Sequence, residues 1–444
     1  MAQPIEAFKN SFKIPELKSR IIFTLVMLSI YRLGAHVPTP GVDGQELSRI
    51  IGDMGGILQF YDMFSGGAFA NATIFALGIM PYISASIIMS LLVVVVPSLE
   101  TLQKAGAEGQ KKLNEYTRYG TIVLCVVQSI GIAQLLRGLH SPETPILMNQ
   151  GMGFYLMCIL SFTTGTAFIM WLGERISEHG VGNGISLIIF VSIISSMPAA
   201  LITLFRLIDV GQISAFKALF MAVMLVLVVG GTILMTTGQR RIPIQYPRQV
   251  KGRKVYGSQQ RSYLPLRVNQ AGVIPIIFAS SLLMLPGMIA GNIDVKWIQT
   301  VFNDWFSFGS LPYNMVFAFL ILFFSYFYTA ITFNPVEMAD NLKKYGGVVI
   351  GVRPGKATAE YLYKVMNRIT LVGSVFLVTV ALLPTLVYQG MGVTDFNIAN
   401  FFGGTSLLIL VGVALDTVKQ MEQHLVMRNY EGFSKGGRIR SRRG

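Results

Sequence analysis

Reactive side chains are sparse in this 444-residue chain, and their spacing supports no catalysis. The four histidines, His36, His140, His179 and His424, are scattered, with no pair at metal-ligand spacing and no Ser/His/Asp or Cys/His set. Cys125 and Cys158 both lie inside apolar runs and read as small packing residues rather than as a disulfide or metal ligands. Gly180, Gly182 and Gly184 in HGVGNGIS have the look of a phosphate-cradling loop but follow no strand, so they read as a tight turn between two helices. Asn71-Ala72-Thr73 has the form of a glycosylation acceptor but abuts an apolar run. No metal and no cofactor is expected, and the chain does not read as an enzyme.

What the sequence does concentrate is basic charge. Segment 237–267 carries Arg240, Arg241, Arg248, Lys251, Arg253, Lys254, Arg261 and Arg267 and no acidic residue. Two readings stand side by side: a surface for an anionic partner, or an ordinary basic loop resting on lipid headgroups. Tyr246, Tyr256 and Tyr263, interleaved with Pro243 and Pro247, predict a structured hairpin. Segment 334–368 holds a second set, Lys343, Lys344, Arg353, Lys356, Lys364 and Arg368, with turn signals at Gly346-Gly347 and at Val352-Arg353-Pro354-Gly355.

These loops are strung between apolar runs. Hydrophobic residues make up 52% of the chain and charged ones 13%, a balance that a water-soluble domain does not reach, so the excess must face lipid. Ten runs are long enough to cross a bilayer as helices: 21–37, 73–96, 119–136, 152–172, 184–204, 213–235, 268–289, 313–333, 369–388 and 401–415. With both ends cytoplasmic, 30 of the 36 basic residues fall in inner segments, and shifting the phase by one span inverts that bias. The first run follows twenty mostly polar residues and lacks a small-x-small cleavage site, so it reads as a retained span. Arg32 and Lys217 lie near span ends and are expected to snorkel to the interface. No Asp, Glu, His or Lys falls at the middle of any span, which argues against an ion-coupled transporter. Glu174 and Asp416 fall at cytoplasmic ends, as anchors. The stretch 60–72, FYDMFSGGAFANA, is too short to span; it reads either as a re-entrant element or as an external amphipathic turn.

Isoleucines recur beside helix-loosening residues in four spans: Ile79 and Ile83 around Pro81, Ile189 after Asn183-Gly184, Ile277 after Pro275, and Ile409 after Gly403-Gly404. An apolar collar of this kind can shed water and block ions. On the residues alone, four packing or lipid-facing sites are the preferred reading.

Seven ordered blocks now bear on the question: MFSGGAFANATIFALGIMPYISASI (63–87), EYTRYGT (115–121), MWLGERISEHGVGNGIS (170–186), LPLRVNQAGVIPIIFASS (264–281), FNPVEMADNLKK (333–344), GVRPG (351–355) and FGGTSLLI (402–409). Through them the chain resembles the SecY/Sec61-alpha family of protein-conducting channels, from about residue 21 to about residue 423. The resemblance implies an all-α integral membrane fold, about ten helices in two inverted five-helix halves around an hourglass channel with a plug. It divides the chain into a cytoplasmic segment 1–20, an N-terminal half 21–205, a C-terminal half 206–423 and a basic tail 424–444. It implies a pore ring of Ile79, Ile83, Ile189, Ile277 and Ile409, and a plug over 61–71 that includes Tyr61, Met63, Phe64, Ser65, Gly66, Gly67, Ala68 and Asn71. It implies a lateral gate between spans 2 and 7 with polar residues Ser84, Ser86, Gln128 and Asn269, and loop tips at Arg253, Lys254 and Arg353 that meet SecA or the ribosome and its RNA. The implied partners are the SecE and SecG subunits, the SecA motor, the ribosome, signal sequences, nascent chains and lipid, in the bacterial inner membrane. A passive polypeptide channel is the reading preferred to a transporter or a docking scaffold.

Overall fold

The structure is a computed structural model that describes residues 15–54, 57–140, 146–147, 151–246, 249–251, 254–256, 261–290, 309–390, 398, 401 and 404–436. In chain order the helices of the first part are α1 (Pro15–Gly34), α2 (Gly44–Met54), α3 (Ile57–Ser65), α4 (Met80–Val95), α5 (Pro97–Lys104), α6 (Ala107–Leu139), α7 (Met152–His179), α8 (Gly184–Asp209) and α9 (Ala215–Thr237). Strands β1 (Gln239–Gln245), β2 (Gln249–Lys251), β3 (Lys254–Tyr256) and β4 (Arg261–Arg267) follow, then α10 (Ile274–Ala290), α11 (Leu311–Thr332), α12 (Pro335–Lys344), β5 (Val348–Val349), α13 (Lys356–Gly390) and α14 (Thr405–Gly436).

Ten of these helices, α1, α4, α6 to α11, α13 and α14, correspond one to one with the ten expected spans. Among the described residues, six helical stretches are long and apolar enough to cross a bilayer by length and composition, and α4 with α5, bent by 100°, makes a seventh. Two spans start six or more residues later than hydropathy suggests. The second run begins at 73, yet 73–79 is a chain of turns and α4 begins at Met80; the seventh begins at 268, yet α10 begins at Ile274. Pro81 and Pro275 explain both starts. Each occupies the first helical turn, where its missing N–H costs nothing and its fixed φ favours helix entry. These prolines, which sequence patterning places inside spans as loosening elements, begin the helices.

The HGVGNGIS segment is the tight turn between α7 and α8. Gly182 takes φ +85°, Asn183 caps α8 by accepting the Ile185 and Ser186 N–H groups, and a β-carbon at Gly184 would run into the Gly173 carbonyl. Close helix approach therefore accounts for the glycines.

The expected hairpin is present and is larger than the loop that supplied it. β1 pairs antiparallel with β4, from Gln239 opposite Arg267 to Gln245 opposite Arg261. β1 also pairs with β5, Ile244 opposite Val349, so both basic loops contribute to one three-stranded sheet in the order β4-β1-β5. Ile242, Ile244, Leu266 and Val349 pack beneath it on Phe333, Leu342, Leu362 and Met366. A far larger apolar cluster runs through the membrane helices, from Tyr31 of α1 to Val413 of α14.

Candidate functional site

Ile79 and Ile83 lie one turn apart at the start of α4, and therefore on one face of it. Ile189 comes from α8, Ile277 from α10 and Ile409 from α14. All five are buried, from 7% exposed at Ile277 to 0% at Ile409, and all belong to the same apolar cluster. Lipid-facing positions on the same helices are far more open, such as Val95 of α4 and Ile202 of α8 at 75% and 62%. The cluster also contains Tyr61, Met63, Phe64 and Ala68, so the five isoleucines and the 61–71 segment share one core.

That segment is packed within the bundle and is not an external turn. α3 packs against α8 and α10. Tyr61 donates its hydroxyl to the Leu77 carbonyl at 3.0 Å and meets the Phe69 ring edge-on at 5.0 Å. The Ser406 hydroxyl of α14 donates to the Met63 sulfur at 3.1 Å. The Tyr31 hydroxyl donates to the Ser65 carbonyl at 3.2 Å and lies 2.7 Å from the Ser192 oxygen of α8. Gly66 and Gly67 both take positive φ, and the Asn71 side chain donates back to the Gly67 carbonyl at 2.7 Å. The base is closed by a bridge between Pro38 and Thr73, with Thr39 N–H on the Ala72 carbonyl and Ile74 N–H on the Val37 carbonyl.

Two ionisable groups at this site escape a sequence reading. Arg32 does not snorkel outward: its Nη1 donates to the Gly66 carbonyl at 2.6 Å. Asp62, outside every apolar span, accepts the Ala70 N–H at 2.7 Å. Tyr31, Ser192 and Ser406 were equally unmarked. The only available signals were an acidic residue inside an otherwise apolar re-entrant stretch and an arginine in the outer turns of the first span.

Among the described residues, the interface between α4 and α10 is crossed by the Ser281 hydroxyl donating to the Met80 sulfur at 3.6 Å. Ser84 of α4 and Gln128 of α6 are buried, and neither the Ser84 hydroxyl nor the Gln128 Oε1 finds a hydrogen-bond partner among the described residues. Ser86 is half-buried, its carbonyl accepting the Ser90 hydroxyl. Asn269 is not on a membrane helix: it sits in the turn before α10, donates to the Gly272 carbonyl at 3.0 Å, and lines a polar cavity of about 240 Å³ with Asn183, Arg267, Asp416 and Gln420. Sequence patterning put it on the seventh span because Val268 opens an apolar run.

Of the three loop-tip residues, Arg353 is exposed in the turn before α13, its carbonyl accepting the Thr358 hydroxyl. Lys254 opens β3, and Arg253 lies outside the described residues. Glu174, expected as an interfacial anchor, accepts from Arg118 Nε at 2.7 Å, and this bond holds the Arg118 guanidinium above its usual pKa. Among the described residues no group of three or more His, Cys, Asp or Glu is placed to hold a metal ion.

Ten helices that correspond to the ten expected spans, with the 61–71 segment packed into their shared apolar cluster, define an all-α integral membrane protein. Comparison with known proteins gives that class a family. Residues 73–418 match the SecY family. Protein translocase subunit SecY of Aquifex aeolicus (strain VF5) is 43% identical over 431 residues, 96% of this chain and 99% of its own. The Streptomyces griseus subunit is 46% identical, covering 96% and 99%, and that of Escherichia coli (strain K12) 42%, covering 96% and 95%. Among solved structures, a protein-conducting channel superposes with a TM-score of 0.64 at 17% identity, covering 94% and 96% of the two chains. Sec61 from a canine ribosome-channel complex superposes with a TM-score of 0.59 at 16% identity, with the same coverages. At those identities the superpositions speak for the fold: ten membrane helices in two inverted halves around a channel. The chain belongs to the SecY family. As a member it is a channel-forming subunit of the protein translocase and not an enzyme.

Proposed function

We propose that the waist formed by Ile79, Ile83, Ile189, Ile277 and Ile409 is the ring through which extended secretory chains pass, and that 61–71 is its plug. The observation that carries this reading is the burial of all five side chains, drawn from four helices, in one cluster with Tyr61, Met63 and Phe64. An apolar ring grips a moving chain without binding any one sequence strongly, and it denies ions a hydrated path. α4 and α10 form the lateral gate, shut across Ser281 and Met80, with Ser84, Ser86 and Gln128 on the gate side and Asn269 at its cytoplasmic mouth. A signal sequence or transmembrane segment leaves through it because apolar surface gains about 25 cal/mol per Å² on leaving water for lipid.

The basic loops 237–267 and 334–368 stay cytoplasmic with both termini, in the bacterial inner membrane, and the halves divide at about 205–206. The sequence has no nucleotide motif, so directed movement comes from partners: the SecA motor or the ribosome on the loops, with SecE and SecG as accompanying subunits. The ribosome assignment draws support from the Sec61 ribosome-channel complex that shares this fold and from the exposed Arg353 turn that follows β5 of the shared sheet. A photo-crosslinker placed at Ile83 or Ile409 in the assembled complex is expected to label a secretory chain stalled in transit. Absence of adducts at both positions would remove the ring.

A further inference from the structure

Apolar contacts hold the 57–79 segment in its seat, but its polar contacts differ in kind because they have direction. Arg32 is a half-buried cation in the outer turns of α1, a costly group at membrane depth unless something engages it. It donates Nη1 to the Gly66 carbonyl at 2.6 Å. That carbonyl is presented by a loop which Asp62 knits: its Oδ1 accepts the Ala70 N–H at 2.7 Å and lies 3.4 Å from the Ser65 hydroxyl, whose oxygen takes the Phe69 N–H at 3.0 Å. Gly66 turns the chain at φ +70° directly against Ser192 of α8. Among the described residues Arg32 is the charged group facing Asp62, while the Ser192 hydroxyl of α8 meets Tyr31 and the Ser406 hydroxyl of α14 meets Met63.

We propose that Arg32 and Asp62 form a two-part latch for the plug: the carboxylate folds the 62–70 loop, and the guanidinium clamps the folded loop onto α1 through the Gly66 carbonyl. The inference rests on the plug reading above. Leaving the seat strips Arg32 of a charge-assisted hydrogen bond with nothing apolar to replace it. A translocating chain brings its own backbone carbonyls past the vacated guanidinium, so the loss is made good only when a polypeptide is present. The latch thereby couples release of the seal to the presence of cargo, which an apolar fit alone does not.

The test uses the intact translocase complex in planar bilayers, without cargo, comparing the parent with Arg32→Met, Asp62→Ala, their double variant, and a deletion of 61–71. Arg32→Met and Asp62→Ala are each expected to raise the resting ion leak roughly tenfold. The double variant is expected to leak no more than the leakier single, because the two side chains act as one unit. Arg32→Lys, which keeps a donor, is expected to stay within about threefold of the parent. With a stalled secretory chain in the channel, all forms are expected to conduct alike. Gly66→Ala probes the latch without touching either side chain: its β-carbon would meet Ser192 Cα at 3.0 Å and Arg32 Nη1 at 3.3 Å, lifting the loop from both, and its leak is expected to match Arg32→Met. If the deletion leaks but Arg32→Met, Asp62→Ala and Gly66→Ala all stay at the parent level, the latch is overturned and the plug stands. If the deletion is also at the parent level, the plug reading itself falls. Additive leaks in the double variant would overturn the single-unit mechanism.

Discussion

Replacing Ile79, Ile189 and Ile409 together by serine tests the waist most directly. The three come from α4, α8 and α14 and are 2%, 2% and 0% exposed, so each contributes nearly its whole side chain to the cluster. Burying one isoleucine is worth about 1.5–3 kcal/mol, so the three together hold back water with roughly 5–9 kcal/mol. Serine removes most of that and adds a hydroxyl that welcomes water. Ion passage depends exponentially on the barrier, with a tenfold change for each 1.4 kcal/mol or so, and recovering even a fifth of the total multiplies leakage about tenfold. Planar-bilayer recordings of the assembled complex measure this directly. Were the same residues mere packing, the triple variant would lose about 2–5 kcal/mol of stability per site and leak no more than the parent. A lowered melting temperature with unchanged conductance would refute the gasket argument.

Two further outcomes follow from the gate and the loops. Gln128→Leu removes a buried acceptor that has no partner among the described residues, which is expected to favour the shut gate by about 1–3 kcal/mol; export would then demand a more hydrophobic signal sequence, and an unshifted threshold in an export assay with graded signals counts against Gln128 at the gate. Charge reversal at Arg353 and Arg253 to Glu is expected to weaken SecA or ribosome binding and to flatten its dependence on salt, and retention of full affinity in a sedimentation assay contradicts the docking role.

Hydropathy located the ten spans because a helix in lipid must be apolar along its whole crossing, and a run of that length is hard to mistake. It misplaced the starts of α4 and α10 because apolar residues also fill the turns at 73–79, which are buried by their neighbours rather than by helix formation. The isoleucines are a harder case. Ile79 and Ile202 are alike in sequence terms, and only the packing of distant helices buries one and exposes the other. Family resemblance supplied what periodicity lacked. Arg32 shows a similar limit from the other side: its position near a span end is readable, but the direction of its side chain depends on a carbonyl 34 residues away. The three-stranded sheet was half visible. Tyrosines and prolines marked the β1–β4 hairpin, but nothing in Val348-Val349 announces a partner strand a hundred residues earlier.

That shared sheet makes the two cytoplasmic loops one mechanical part. β1 grows directly out of α9, β4 runs through the 268–273 turn into α10, and β5 stands between α12 and α13, so three membrane helices and the short α12 meet in a single stiff plate. A load applied at the exposed Arg353 turn travels through backbone hydrogen bonds to the root of α10 instead of being lost in slack chain. If α10 is the gate wall proposed above, a motor pressing from the cytoplasm would have a lever already hinged to it.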